Sequence, residues 1–118
     1  MIIIANVLVG FVAFLHVSFL VLEMFLWDKS VGLQTFGHTR EFARVSKTLA
    51  MNQGLYNGFL AAGLVWGLSL GSAGNSIKIF FLGCVVIAGI FGGITASQKI
   101  LLFQALPAVL ALAALLLT

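Results

Sequence analysis

The chain has 118 residues, 62% of them hydrophobic and 8% charged, with a formal charge of +3 and a mean hydropathy of +1.21. Soluble domains hold roughly 25% charged residues, so water is excluded as the main solvent, and six basic residues scattered through an apolar chain form no patch that would bind nucleic acid. Cys84 is the only cysteine, which excludes an intrachain disulfide or a cysteine-rich metal site.

At about 20 residues per span, this length accommodates four crossings in a single domain, residues 1–118. The first span is predicted over 2–27. Met1 is followed at once by Ile2, Ile3 and Ile4 with no basic residue ahead, and the apolar run exceeds the roughly 7 to 15 residues of a signal-peptide core, so it reads as a retained span. At about 1.5 Å per residue it reaches about 39 Å, enough to cross a core of about 30 Å with some tilt.

The segment 28–47 is too polar to span. Thr39 can cap a helix in which Phe42, Val45 and Leu49 recur at helical spacing while Arg40, Arg44 and Lys47 supply charge. This predicts a short amphipathic segment at the cytoplasmic headgroup level, running into the second span; a solvated loop is the alternative. The second span is predicted over 48–71. Ser72 to Ser76 form a turn-rich break, and the third and fourth spans follow over 77–96 and 100–117. Gly63, Gly67 and Gly71, and again Gly89 and Gly93, repeat every fourth residue, a spacing that lets helix backbones approach closely in lipid. Pro107 removes a backbone donor and predicts a kink in the last span. The expected fold is therefore all-α, an integral membrane bundle of four transmembrane helices.

Lys29, Arg40, Arg44, Lys47 and Lys99 fall on one side of that bundle and Lys78 on the other. The positive-inside rule makes the richer side cytoplasmic, with loop 28–47 inside and both termini outward.

Polar residues within the spans collect toward that cytoplasmic side. Glu23 precedes the expected end of span one by about 6 Å, and His16 lies seven residues earlier, about 10 Å deeper on nearly the same face. Asn52 and Gln53 enter span two at about the depth of Glu23, and Tyr56 and Asn57 follow one turn further in, whereas the outer half holds only Asn6. Ionisable groups are costly in hydrocarbon and normally face a partner or a cavity. The expectation is a pocket open to the cytoplasm and lined by His16, Glu23, Asn52, Gln53, Tyr56 and Asn57, able to hold a proton or a cationic group. The structural alternatives are a snorkelling Glu23 and interhelical hydrogen bonds for the others. No residue pattern calls for a metal or a cofactor.

The runs Leu22-Glu23-Met24-Phe25-Leu26-Trp27, Asn52-Gln53-Gly54-Leu55-Tyr56-Asn57-Gly58-Phe59-Leu60-Ala61-Ala62-Gly63 and Phe81-Leu82-Gly83-Cys84-Val85 resemble the domain-of-unknown-function family numbered thirteen hundred and four. The resemblance runs over nearly the whole chain and implies a small bacterial inner-membrane protein of four helices; it implies no activity. Small multidrug transporters offer a broader comparison of size and of a first-helix glutamate, a weak warrant. Three functions remain open from sequence: a homo-oligomeric binder or carrier of a small or lipophilic solute, a membrane enzyme or enzyme subunit acting on a lipid-soluble substrate, and a non-catalytic accessory or assembly protein. The first is preferred, with the lipid bilayer, such a solute and a second copy of the chain as expected partners.

Overall fold

The computed structural model of the chain describes residues 1–118. It is all-α, with no strand: α1 (Ile2–Met24), α2 (Ser30–Phe36), α3 (Arg40–Ser69), α4 (Asn75–Thr95) and α5 (Leu106–Leu116), with a 3₁₀ turn over Gly71–Gly74 and a π-helical turn over Leu101–Ala105. Two helical stretches are long and apolar enough to cross a membrane, Ile2–Met24 and Gly71–Thr95; Leu101–Leu116 is apolar but shorter. The expected all-α fold is observed, and two of its four expected spans have that length and apolarity. α3 has the length, at 30 residues, but its first turns carry Arg40, Glu41, Arg44 and Lys47, and Asn52, Gln53 and Asn57 dilute the rest.

The chain divides into two compact units, one formed by Met1–Leu15 with Leu60–Thr118 and the other by His16–Phe59. In the first, the core is Ala5, Val9, Val12 and Ala13 of α1, Leu64 of α3, Leu82 and Val85 of α4, and Ala108, Ala111 and Leu115 of α5. These positions recur three and four residues apart, so each helix contributes one stripe. The stripes are made of alanine, valine and leucine, while Ile3, Val7, Phe14, Ile87, Phe91, Ile94 and Leu102 point away from the protein. Glycine deepens the contact where α4 meets the π turn: a Cβ on Gly89 would lie 2.6 Å from the Ala105 backbone nitrogen.

The predicted break between the second and third spans begins earlier than expected. Gly71 takes a left-handed φ of 61° and a Cβ there would meet nothing within 4 Å, so it ends the helix and turns the chain, where the every-fourth-residue pattern had made it a packing glycine. Asn75 and Ser76, expected in the turn, already belong to α4. The predicted kink at Pro107 is also relocated. Proline sits in the first turn of α5, and the Leu106 N–H reaches back five residues to the Leu101 carbonyl, closing a π turn just before it.

In the second unit, α1 stops at Met24, three residues short of the expected end. The short helix α2, which the sequence pattern had not revealed, follows and closes at Gly37 with a left-handed φ of 67°, its N–H donating to the Leu33 carbonyl. Thr39 performs the predicted capping role: its Oγ1 accepts from the Phe42 N–H at 3.1 Å at the start of α3. The corner is tied by Trp27, whose Nε1 donates to Ser46 Oγ at 3.0 Å, while His38 Nε2 lies 3.2 Å from the Trp27 carbonyl.

Candidate functional site

Within the unit formed by His16–Phe59, the last turns of α1 pack on α3 through two glycines. A Cβ on Gly54 would fall 2.6 Å from Met24 Cγ and 3.1 Å from Glu23 Cβ, and one on Gly58 would strike Leu20. This close approach brings Asn57, one turn beyond Gly54, against Glu23. Asn57 Nδ2 donates to Glu23 Oε1 at 2.5 Å. Asn57 is buried and Glu23 half-buried, so a carboxylate near the end of an apolar helix is held by a neutral amide. The two ion pairs of the chain, Arg44 with Glu41 and Lys47 with Asp28, do not include it.

The six residues expected to share one pocket are distributed differently. Glu23 and Asn57 meet. His16 is wholly buried and packs edge-on to Phe19, with ring centroids 5.3 Å apart. Asn52, Gln53 and Tyr56 are exposed, with the Tyr56 ring beside Phe59 at 6.2 Å. No group of three or more His, Cys, Asp or Glu side chains converges to hold a metal ion.

Charge gathers at the start of α3. Lys47 Nζ donates to Asp28 Oδ2 at 3.1 Å, and this hydrogen bond holds the Asp28 carboxyl below the ordinary aspartate range. Arg44 grips Glu41 through two contacts of 3.0 and 2.6 Å, lowering the glutamate and raising the guanidinium. Beside these pairs, the rings of Trp27, Phe36, His38 and Phe42 form a cluster, with Trp27 and His38 centroids 4.3 Å apart.

Sequence reasoning missed a second polar construction, in the unit containing α4. Lys78, read as an outer topology residue, is 0% exposed. Its Nζ donates to Asn6 Oδ1 at 3.0 Å and to Asn75 Oδ1 at 3.2 Å. Space for its stem comes from Gly67, where a Cβ would meet Lys78 Cγ at 2.8 Å. The signal that could have found it was the solitary Asn6, the one polar residue in the outer half of the first span, facing the one basic residue assigned to that side.

Residues 10–116 match the family described as "Protein of unknown function (DUF1304)". The chain belongs to the DUF1304 family. The uncharacterized protein YpaA of Lactococcus lactis subsp. lactis (strain IL1403) is 32% identical over 93 residues, covering 77% of this chain and 78% of the relative. No solved structure matches. These findings correct the resemblance drawn from sequence in what it was taken to carry. The DUF1304 match starts at residue 10, and its description states neither a helix number nor a membrane, so the picture of small four-helix bacterial membrane proteins does not come with the family.

Proposed function

We propose that this DUF1304 protein is a multi-pass bacterial inner-membrane protein that binds a small or lipophilic solute, with Glu23 and Asn57 receiving a proton or a cationic group. The observation that carries the reading is the Glu23–Asn57 pair. A single neutral donor orients the carboxylate without cancelling its charge, and in a poorly solvated site that charge favours a cation or a proton.

The membrane placement is supported by what the apolar helices leave uncovered. In Ile2–Met24 and Gly71–Thr95 the window of highest hydropathy is 28% buried, whereas the core helix of a water-soluble protein is covered by its neighbours. Isoleucine and phenylalanine outside, with alanine, valine, leucine and glycine inside, fits an environment where lipid is the solvent and close backbone packing drives helix association. α3 and the Leu101–Leu116 stretch complete four crossings in this reading. Loop 28–47 then faces the cytoplasm and both termini face outward.

The test is binding of tetraphenylphosphonium, a lipophilic cation, to the purified protein in mild detergent, measured calorimetrically for wild type and Glu23→Gln. Saturable binding that the substitution abolishes is expected. Equal heats from the two proteins would remove Glu23 from any solute site and favour the accessory role.

A further inference from the structure

Lys78 is wholly buried, and its side-chain partners are two neutral amides, Asn6 Oδ1 at 3.0 Å and Asn75 Oδ1 at 3.2 Å. Buried charges are ordinarily paired with an opposite charge. The unit formed by Met1–Leu15 and Leu60–Thr118 contains no aspartate or glutamate, because Glu23, Asp28 and Glu41, the acidic residues of the chain, all lie outside those segments. No side chain of that unit neutralises the lysine.

The hydrogen bonds also fix which way both amides point. A lysine ammonium donates and never accepts, so each asparagine turns its oxygen to Nζ and its NH2 group away. The flipped amide would set N–H against N–H. Neither Nδ2 has a partner in the protein, and no buried side-chain nitrogen or oxygen is left unsatisfied. The two Nδ2 atoms therefore reach the surface of this unit, with two N–H donors apiece and no acceptor supplied. Each donor is strengthened by the ammonium bonded to the oxygen of the same amide, since hydrogen bonds in series polarise one another. A buried cation behind a pair of unfilled donors suits an anion; a cationic ligand would be repelled, and an apolar one would leave the donors bare.

Height along the helices selects the anion. Lys78 is three residues past the start of α4 at Asn75, and Asn6 four past the start of α1 at Ile2, or roughly 4.5 and 6 Å along the axes. In the membrane reading these helix ends mark the outer boundary of the apolar core, the level at which phospholipids hold their phosphate.

We propose that the amide ends of Asn6 and Asn75, polarised by Lys78 behind them, form a phosphate-binding site filled by a phospholipid headgroup of the outer leaflet. The lysine acts through the amides and does not itself touch the phosphate. This inference rests on the membrane reading and is independent of the role given to Glu23.

The experiment uses the full chain in dodecyl maltoside, an uncharged detergent without phosphate, and follows thermal unfolding by circular dichroism. Three additions are compared: phosphatidylglycerol, diacylglycerol with the same acyl chains, and inorganic phosphate at matched ionic strength. Phosphatidylglycerol should raise the unfolding temperature of wild type saturably, by on the order of 5 °C, and diacylglycerol should not. Asn6→Asp and Asn75→Asp, on different helices, each supply Lys78 with an internal carboxylate and should lose the rise. An equal rise from diacylglycerol would report acyl chains, and an undiminished rise in both aspartate variants would report the basic residues at the start of α3, which those variants retain; either result overturns the site, as does the absence of any rise. Inorganic phosphate matching the lipid would keep the phosphate chemistry and overturn the lipid as its source. Alkaline extraction of native membranes separates the two readings, because loss of the protein from the pellet sinks the membrane placement, whereas retained protein that ignores phosphatidylglycerol sinks only the site.

Discussion

Replacing Gly89 by alanine tests whether α4 and the π turn are in contact through backbone. The added Cβ would lie 2.6 Å from the Ala105 nitrogen, 2.7 Å from its Cβ and 2.8 Å from its Cα. Ordinary van der Waals contact begins near 3.4 Å, so the two backbones must part by about 0.8 Å, the difference between 3.4 and 2.6. None of the three atoms belongs to a side chain that can swing away. Overpacking of this kind costs about 1–3 kcal/mol, against which alanine recovers at most about 1 kcal/mol of helix preference. Gly83, on the same helix, is the control, since a Cβ there meets nothing within 4 Å. Reversible unfolding by sodium dodecyl sulfate in mixed micelles, followed by far-ultraviolet circular dichroism, should find Gly89→Ala less stable than wild type and Gly83→Ala equal or slightly more stable. Equal midpoints for the two variants would refute the close approach of α4 to residues 101–105.

The same unfolding assay addresses Lys78. Asn6→Leu removes one of the two side-chain acceptors of a buried Nζ and should cost about 1–3 kcal/mol, most of which returns when Lys78→Met is added, because the polar group then leaves together with its partner; a double variant no better than Asn6→Leu alone would contradict this account. For Asp28, the folded carboxyl lies below its unfolded value because of Lys47. Its contribution is therefore present above the unfolded aspartate range and is lost as pH falls through the lowered folded value. Lys47→Met should flatten that acid limb of the stability profile, and an unchanged limb would assign it to other carboxylates.

The parts of this fold legible in sequence are those written in composition or in a single local contact. α1 and α4 stand out as long, predominantly apolar runs, and the start of α3 is marked by Thr39 ahead of Phe42 and Val45. α2 was not legible, because Ser-Val-Gly-Leu-Gln-Thr-Phe is too short to display a period. Just past the early stop of α1, Gly32 lies against the Leu26 backbone, a packing event that no hydropathy window registers, since Phe25, Leu26 and Trp27 are as apolar as the residues before them. At the site, depth along the helix set Asn52 and Gln53 level with Glu23 and placed Asn57, the residue that meets it, one turn further in. It could not separate the face of Asn57 from those of Asn52 and Tyr56, which lie about 140° and 100° around the helix from it. Phase made that separation, once the glycines fixed which face of α3 meets α1.

Lys78 also bears on the order in which the chain is assembled. Asn75, on its own helix, is available as soon as α4 forms, but Asn6 is 72 residues upstream and is therefore synthesised long before the lysine it serves. By the time α4 leaves the ribosome, the acceptor on α1 already exists. Packing of the later helix then has its partner waiting on the earlier one, and a truncated product beginning after α1 would leave the buried lysine short of half its side-chain acceptors.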